Sequence, residues 1–207
     1  MGKDASCAAV AGKLRGAVRA HLDGERLHIS GAIRLNVPLA ELRGLAVRDG
    51  ALCFEAAGQP VRLELGERAA AAWARAIAQP KSLLEKLGLK GGQRVCVLGL
   101  DEAFRSDVAR VAARAPSGTL RGAFDAIFVA IEDEAKLDRI ARCKAHLVPS
   151  GALWVVSPKG KGSPVRESAV RAAILGAGLV ETKVVSFSAT HTAAKAVIPV
   201  AARGRPT

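Results

Sequence analysis

Between residues 14 and 65 apolar side chains recur at every second position, and after Gly66 they do not. Leu14, Val18, Ala20 and Leu22 alternate with Lys13, Arg15, Arg19 and His21; Leu27 and Ile29 alternate with Arg26, His28 and Ser30; Ile33, Leu35 and Val37 alternate with Arg34 and Asn36. A period of two belongs to a strand with one buried face. It continues through Leu45 and Val47, Leu52 and Phe54, then Val61, Leu63 and Leu65. The breaks at Asp23-Gly24, Asp49-Gly50 and Gly58-Gln59-Pro60 carry turn chemistry, so six short strands are expected. After Gly66 the period becomes 3.6. Ala70, Trp73, Ala74 and Ile77 share one helical face, expected to cap the sheet.

Antiparallel strands followed by one amphipathic helix resemble a pleckstrin-homology-like small barrel, here over residues 1–78. Ala78-Gln79-Pro80 interrupts the helix, and Ser82-Leu83-Leu84-Glu85 opens another as a capping box ending at Gly88. The expected boundary lies there, with a second domain over 81–207. In that domain strands at 94–100, 125–131 and 152–157 alternate with helices at 101–114, 135–147 and 164–177. Strands at 179–187 and 194–200 close it, and a loose tail runs from Ala202 to Thr207. Apolar strands between helices mean a sheet covered on both faces, a Rossmann-like α/β layer. The expected inward residues are Phe104, Val108, Val111 and Ala112, then Leu137, Ile140 and Ala141, then Val170, Ala173, Ile174 and Ala177.

The chain has 207 residues and a formal charge of +12, without the block of like charges that marks a disordered basic arm. No uncharged run approaches the roughly 18 residues needed to span a bilayer, so no membrane partner is expected. The start Met1-Gly2-Lys3-Asp4-Ala5-Ser6-Cys7 lacks the apolar core of a secretory signal, which points to the cytoplasm. Cys7, Cys53, Cys96 and Cys143 stand singly, fitting reduced core thiols; no metal site is expected.

The segment Leu87-Gly88-Leu89-Lys90-Gly91-Gly92-Gln93-Arg94-Val95-Cys96-Val97-Leu98-Gly99 resembles the entry into a class I S-adenosylmethionine-dependent methyltransferase. Phe124 to Ala130 resembles that family's fourth strand, Leu147 to Val156 the turn into its fifth, and Gly176-Ala177-Gly178-Leu179-Val180 the entry to its sixth. The likeness covers about residues 81–200 in the family's order.

The sequence also departs from the family. Where the resemblance implies G-x-G, Gly99 is followed by Leu100-Asp101-Glu102-Ala103-Phe104. Only 25 residues (100–124) separate Gly99 from the next strand, and a helix over 101–114 leaves eleven. Eleven residues do not supply two strands and two crossovers, since one crossover needs about 10 to 12. The expectation is therefore a degenerate methyltransferase-like domain with a shortened strand set, of the sort found in small bacterial proteins. It would lack the adenosine half of the site, and of the family's cofactor-binding positions only Gly99 and Asp101 carry over.

Open α/β sheets place ligands at the carboxyl ends of their strands. Ser157-Pro158-Lys159-Gly160-Lys161-Gly162-Ser163-Pro164 leaves such a strand, with Ser163 placed as N-cap and Pro164 as first helical residue. Lys159, Gly160, Lys161 and Ser163 are therefore the candidate anion-binding residues, against the plainer reading of a solvated loop. Asp101 and Glu102, and likewise Glu132-Asp133-Glu134, suit helix starts better than catalysis. The family's Asn or Asp followed by Pro-Pro and an aromatic is missing at the latter place. His191 is the best placed histidine for acid/base work, although a turn residue is the ordinary reading. His21, His28 and His146 fall on polar faces, Cys96 reads as core, and no residue is assigned as catalytic.

From 141 to 207 there are ten Lys or Arg against two Asp or Glu, so an anionic ligand or nucleic acid is the candidate partner. Arg142, Lys144, Lys159, Lys161, Arg166, Arg171, Lys183 and Lys195 carry that charge. Seven aromatics without tyrosine offer little for base stacking. The expected function is a non-catalytic binding or regulatory module without a cofactor. The alternatives are an S-adenosylmethionine-dependent methyltransferase with an atypical site, or a non-specific nucleic-acid or anion binder.

Overall fold

The computed structural model describes residues 2–203, and the chain divides into two compact units, Met1–Lys81 and Ser82–Thr207. In the first, β1 (Lys3–Ala11), β2 (Leu14–Leu22), β3 (Arg26–Gly31), β4 (Leu35–Pro38), β5 (Arg43–Arg48), β6 (Ala51–Ala56) and β7 (Gln59–Glu64) form one antiparallel sheet. Its order is β4-β3-β2-β1-β7-β6-β5. Strands number seven where six were expected. The unexpected one, β1, reads Ala-Ser-Cys-Ala-Ala-Val-Ala through most of its length and so lacks polar and apolar contrast. The strands β4 and β5 end the order, and the sheet is a curled antiparallel half-barrel.

The β5–β6 turn forms where Asp49 and Gly50 both take positive φ, 48° and 71°, a backbone whose twist suits a two-residue hairpin. Helix α1 (Glu67–Ala78) buries Ala70, Trp73 and Ile77 against the apolar face of the sheet. Trp73 is 3% exposed, and burying such a side chain stabilises by about 2–3 kcal/mol.

The second unit has a five-stranded sheet of β8 (Val95–Leu98), β9 (Phe124–Ala130), β10 (Leu147–Pro158), β11 (Val180–Ser186) and β12 (His191–Val197), in the order β11-β12-β10-β9-β8. The strands β8, β9 and β10 run parallel; β12 is antiparallel to both β10 and β11. Alternate strand residues feed two cores. Cys96, Ile127, Val129, Leu153 and Val155 pack with α4 (Arg139–Lys144) and α5 (Glu167–Gly176) through Ile140, Cys143, Val170 and Ile174. Val97, Phe128, Trp154 and Val156 pack with α2 (Leu83–Leu87) and α3 (Glu102–Ala112) through Leu84, Leu87, Phe104 and Val108. The sheet is thus covered on both faces, a Rossmann-like layer.

Several details depart from the sequence expectations. Val111 and Ala141 face solvent although both lie within their helices, α3 and α4. A 3-10 turn over Glu134–Lys136 takes the first part of the expected fourth helix. Val200–Ala202 is also a 3-10 turn; the rest of the expected loose tail, 204–207, lies outside the described residues. No helix among the described residues is long and apolar enough to cross a membrane.

Candidate functional site

Strand register brings four segments to one edge of the second sheet. Leu98 lies opposite Val129, Ala130 opposite Val156, and Pro158 opposite His191. The residues just beyond these pairs, Gly99, Ile131, Glu132 and Lys159, therefore sit at the carboxyl ends of the parallel strands, where open sheets bind ligands. With strands spaced about 4.8 Å apart, this edge from β8 to β12 spans about 14 Å.

Gly99 leaves β8 with φ of 72°, and a Cβ there would lie 3.4 Å from the Ala130 Cβ. A side chain there would press on Ala130, and the positive φ turns the chain sharply into α3. Asp101 caps that helix: its Oδ1 accepts from the Phe104 N–H at 2.8 Å. Its observed role is therefore capping.

The connection after α3 runs along β8. Ser117 lies beside β8, where the Ser117 N–H donates to the Val95 carbonyl and the Val97 N–H to the Ser117 carbonyl, both at 2.9 Å. Arg105 donates to the carbonyls of Val97 at 2.9 Å and Pro116 at 3.2 Å, and the Cys96 thiol reaches the Thr119 carbonyl at 3.5 Å. A segment held by Arg105 thus bridges to β8 through Ser117.

The 157–164 loop differs from expectation. Helix α5 starts at Glu167 with Arg166 as N-cap, so Ser163 is not its cap and Pro164 not its first residue. The Ser163 hydroxyl instead turns back locally, accepting from the Val165 N–H at 3.2 Å and lying 2.7 Å from the Val165 carbonyl. The α5 N-terminus already has an anion: Glu134 Oε1 accepts from the Arg166 backbone N–H at 3.0 Å. Lys159 donates from Nζ to Ser186 Oγ at 3.0 Å, while Gly160 and Lys161 are exposed. The four anion-site candidates thus share a loop but do not converge on a helix end.

The arrangement that sequence reasoning missed lies at the end of β9 and the start of β12. His191 Nε2 is 3.3 Å from Glu132 Oε1, and His191 Nδ1 is 2.9 Å from Thr190 Oγ1 and 3.5 Å from Ser188 Oγ. Their separation of 59 positions left no spacing signal; only strand order joins them. His146, by contrast, spends Nδ1 on the Gly122 carbonyl at 2.8 Å, and His21 lies 3.0 Å from Asp4 in the first unit. Among the described residues no group of three or more His, Cys, Asp or Glu is gathered to hold a metal ion.

Neither a protein-family model nor a curated protein matches the sequence. Among solved structures, the chain is similar to an S-adenosylmethionine-dependent methyltransferase from Aquifex aeolicus, with 16% identity, 56% of this chain, 88% of that chain and a TM-score of 0.46. It is similar to a Methanococcus jannaschii fibrillarin pre-rRNA processing protein (9% identity, 87% of this chain, 97% of that chain, TM-score 0.44). It is also similar to Aeropyrum pernix fibrillarin with natively bound S-adenosylmethionine (16% identity, 95% of this chain, 100% of that chain, TM-score 0.38). The expectations of a non-catalytic module and of no cofactor are corrected on this comparison: the Aquifex aeolicus protein is an S-adenosylmethionine-dependent methyltransferase, and the Aeropyrum pernix fibrillarin carries bound S-adenosylmethionine.

Proposed function

We propose that the second unit is an S-adenosylmethionine-dependent methyltransferase with an atypical cofactor site. The observation that carries this reading is the turn from β8 into α3. Gly99 clears space beside Ala130, at the edge of a sheet whose last strand, β12, runs antiparallel between β10 and β11. The turn at Gly99 fits the amino-acid end of the cofactor, with Gly99 giving backbone access. When bound, the cofactor would supply a methyl group on a sulfonium centre, an electrophile for an acceptor at the same edge.

A ligand that binds only the folded state raises the unfolding midpoint by mass action. S-adenosylhomocysteine is expected to do so here. A wild-type midpoint indifferent to millimolar ligand would refute the reading.

An anionic partner is the second reading, supported by how the charges are paired. Both acidic residues of 141–207, Glu167 and Glu181, lie against Arg171, at 3.1 and 3.5 Å. The cations at the Lys159 and Lys161 loop and at Arg142 and Lys144 on α4 are left to form a positive field. Binding of a generic RNA would then weaken steeply with salt, and a flat salt response would dispose of it.

A further inference from the structure

We propose that Glu132, His191 and Thr190 form a proton relay that takes the proton from a hydroxyl-bearing methyl acceptor at the carboxyl edge of the sheet. The assignment of the acceptor rests on the methyltransferase reading; the relay itself does not.

The chemistry follows from which atoms face each other. A carboxylate offers only acceptors, so Glu132, 3.3 Å from His191 Nε2, favours the tautomer with its proton on that nitrogen. Nδ1 is then a lone pair, and it faces Thr190 Oγ1 at 2.9 Å. The order carboxylate, imidazole, hydroxyl is the one that activates an O–H group. Ser188 extends the relay outward. Its oxygen accepts from the backbone N–H groups of Thr190 at 3.2 Å and His191 at 3.0 Å, and it lies 3.3 Å from Thr190 Oγ1.

The relay is held from several elements. His191 opens β12 opposite Pro158, and Glu132 follows β9, whose end is fixed by the Ile131 N–H donating to the Val156 carbonyl at 2.8 Å. The Lys159 N–H donates to the Thr190 carbonyl at 2.9 Å. The charged groups around His191 are thus Glu132 on one side and, one loop away, the Lys159 ammonium held on Ser186. The imidazole is 28% exposed, and the hydroxyls of Ser188 and Thr190 face solvent.

One proton moves in each turnover. The acceptor O–H bond would break with its electron pair left on oxygen, and that oxygen would take the methyl group as the methyl–sulfur bond breaks and its electron pair stays on sulfur. The proton passes to Thr190 Oγ1 as the proton of Thr190 passes to His191 Nδ1. The resulting imidazolium is balanced by the Glu132 carboxylate and later returns its proton to water.

Two readouts on the cofactor-free chain test the relay. The nitrogen-15 shifts of His191 should show the proton on Nε2 in the wild type, and a mixed population in Glu132→Gln. Second, p-nitrophenyl acetate probes an activated hydroxyl. Oxygen attack on its carbonyl, with the proton going to Nδ1, releases nitrophenolate and leaves an acetyl group on the peptide containing residues 188–191. Acetylation should fall at least about tenfold in Glu132→Gln and His191→Asn, and disappear from residue 190 in Thr190→Val, with unchanged unfolding midpoints. Equal acetylation in wild type and His191→Asn, or a proton on Nδ1 in the wild type, would overturn it. Acetylation without S-adenosylhomocysteine binding would keep the relay and remove the methyltransferase reading.

Discussion

Glu134 and Arg166, 32 positions apart, meet as a fork: Nε and Nη2 of the guanidinium donate to the two carboxylate oxygens at 2.8 and 3.0 Å. The Arg166 backbone N–H donates to the same carboxylate. Three donors on one carboxylate tie the turn after β9 to the start of α5, on the same edge as the candidate site.

That pair has a pH signature. Hydrogen bonds from Arg166 hold the Glu134 carboxyl at about 2, below its ordinary 4.5. Because the folded value is depressed, its stabilising contribution is complete above about 4.5 and is lost as pH falls towards 2. Glu134→Gln should lower the unfolding midpoint at pH 7 and match the wild type near pH 2. A difference that stayed constant from pH 7 to pH 2 would show that the carboxylate charge is not the cause.

The thiols divide by burial. Burial pushes Cys96 up to about 11 and Cys143 up to about 12, while Cys7 and Cys53 are only half-buried. Since the thiolate is the reacting species, native maleimide labelling at pH 7.5 should reach Cys7 and Cys53 first. Cys96 and Cys143 should label only after denaturation. Rapid native labelling of all four would contradict the packing described for the second sheet.

Trp73→Ala removes the largest side chain of α1 from a fully packed face. Substitutions of this kind cost about 3–5 kcal/mol, so the first unit should melt at a lower temperature or lose its fold. Circular dichroism melts of wild type and variant measure this directly; coincident melts would mean that Trp73 does not hold the helix to the sheet.

Where a buried face repeated strictly, the architecture was legible in the chain. Val18, Ala20 and Leu22 are buried where the alternation placed them, as is the Ala70, Trp73, Ile77 face, while Leu14 at the strand start is exposed. The Ser82 capping box also forms, with Ser82 N–H donating to Glu85 at 2.8 Å and Glu85 N–H to Ser82 at 3.2 Å. By contrast β1 was hidden because alanines lie on both of its faces. Ser163 looked like a cap because Ser-Pro fits a helix start, yet Glu134 supplies the charge at α5 from another segment. Glu132 and His191 carried no local signal, since β9 and β12 meet their common neighbour β10 only in the folded sheet.

Calorimetric titration of S-adenosylhomocysteine into the purified chain tests the central claim most directly. Saturable heat at micromolar ligand in the wild type is the result expected. No heat at millimolar ligand would contradict the methyltransferase reading of this sheet edge.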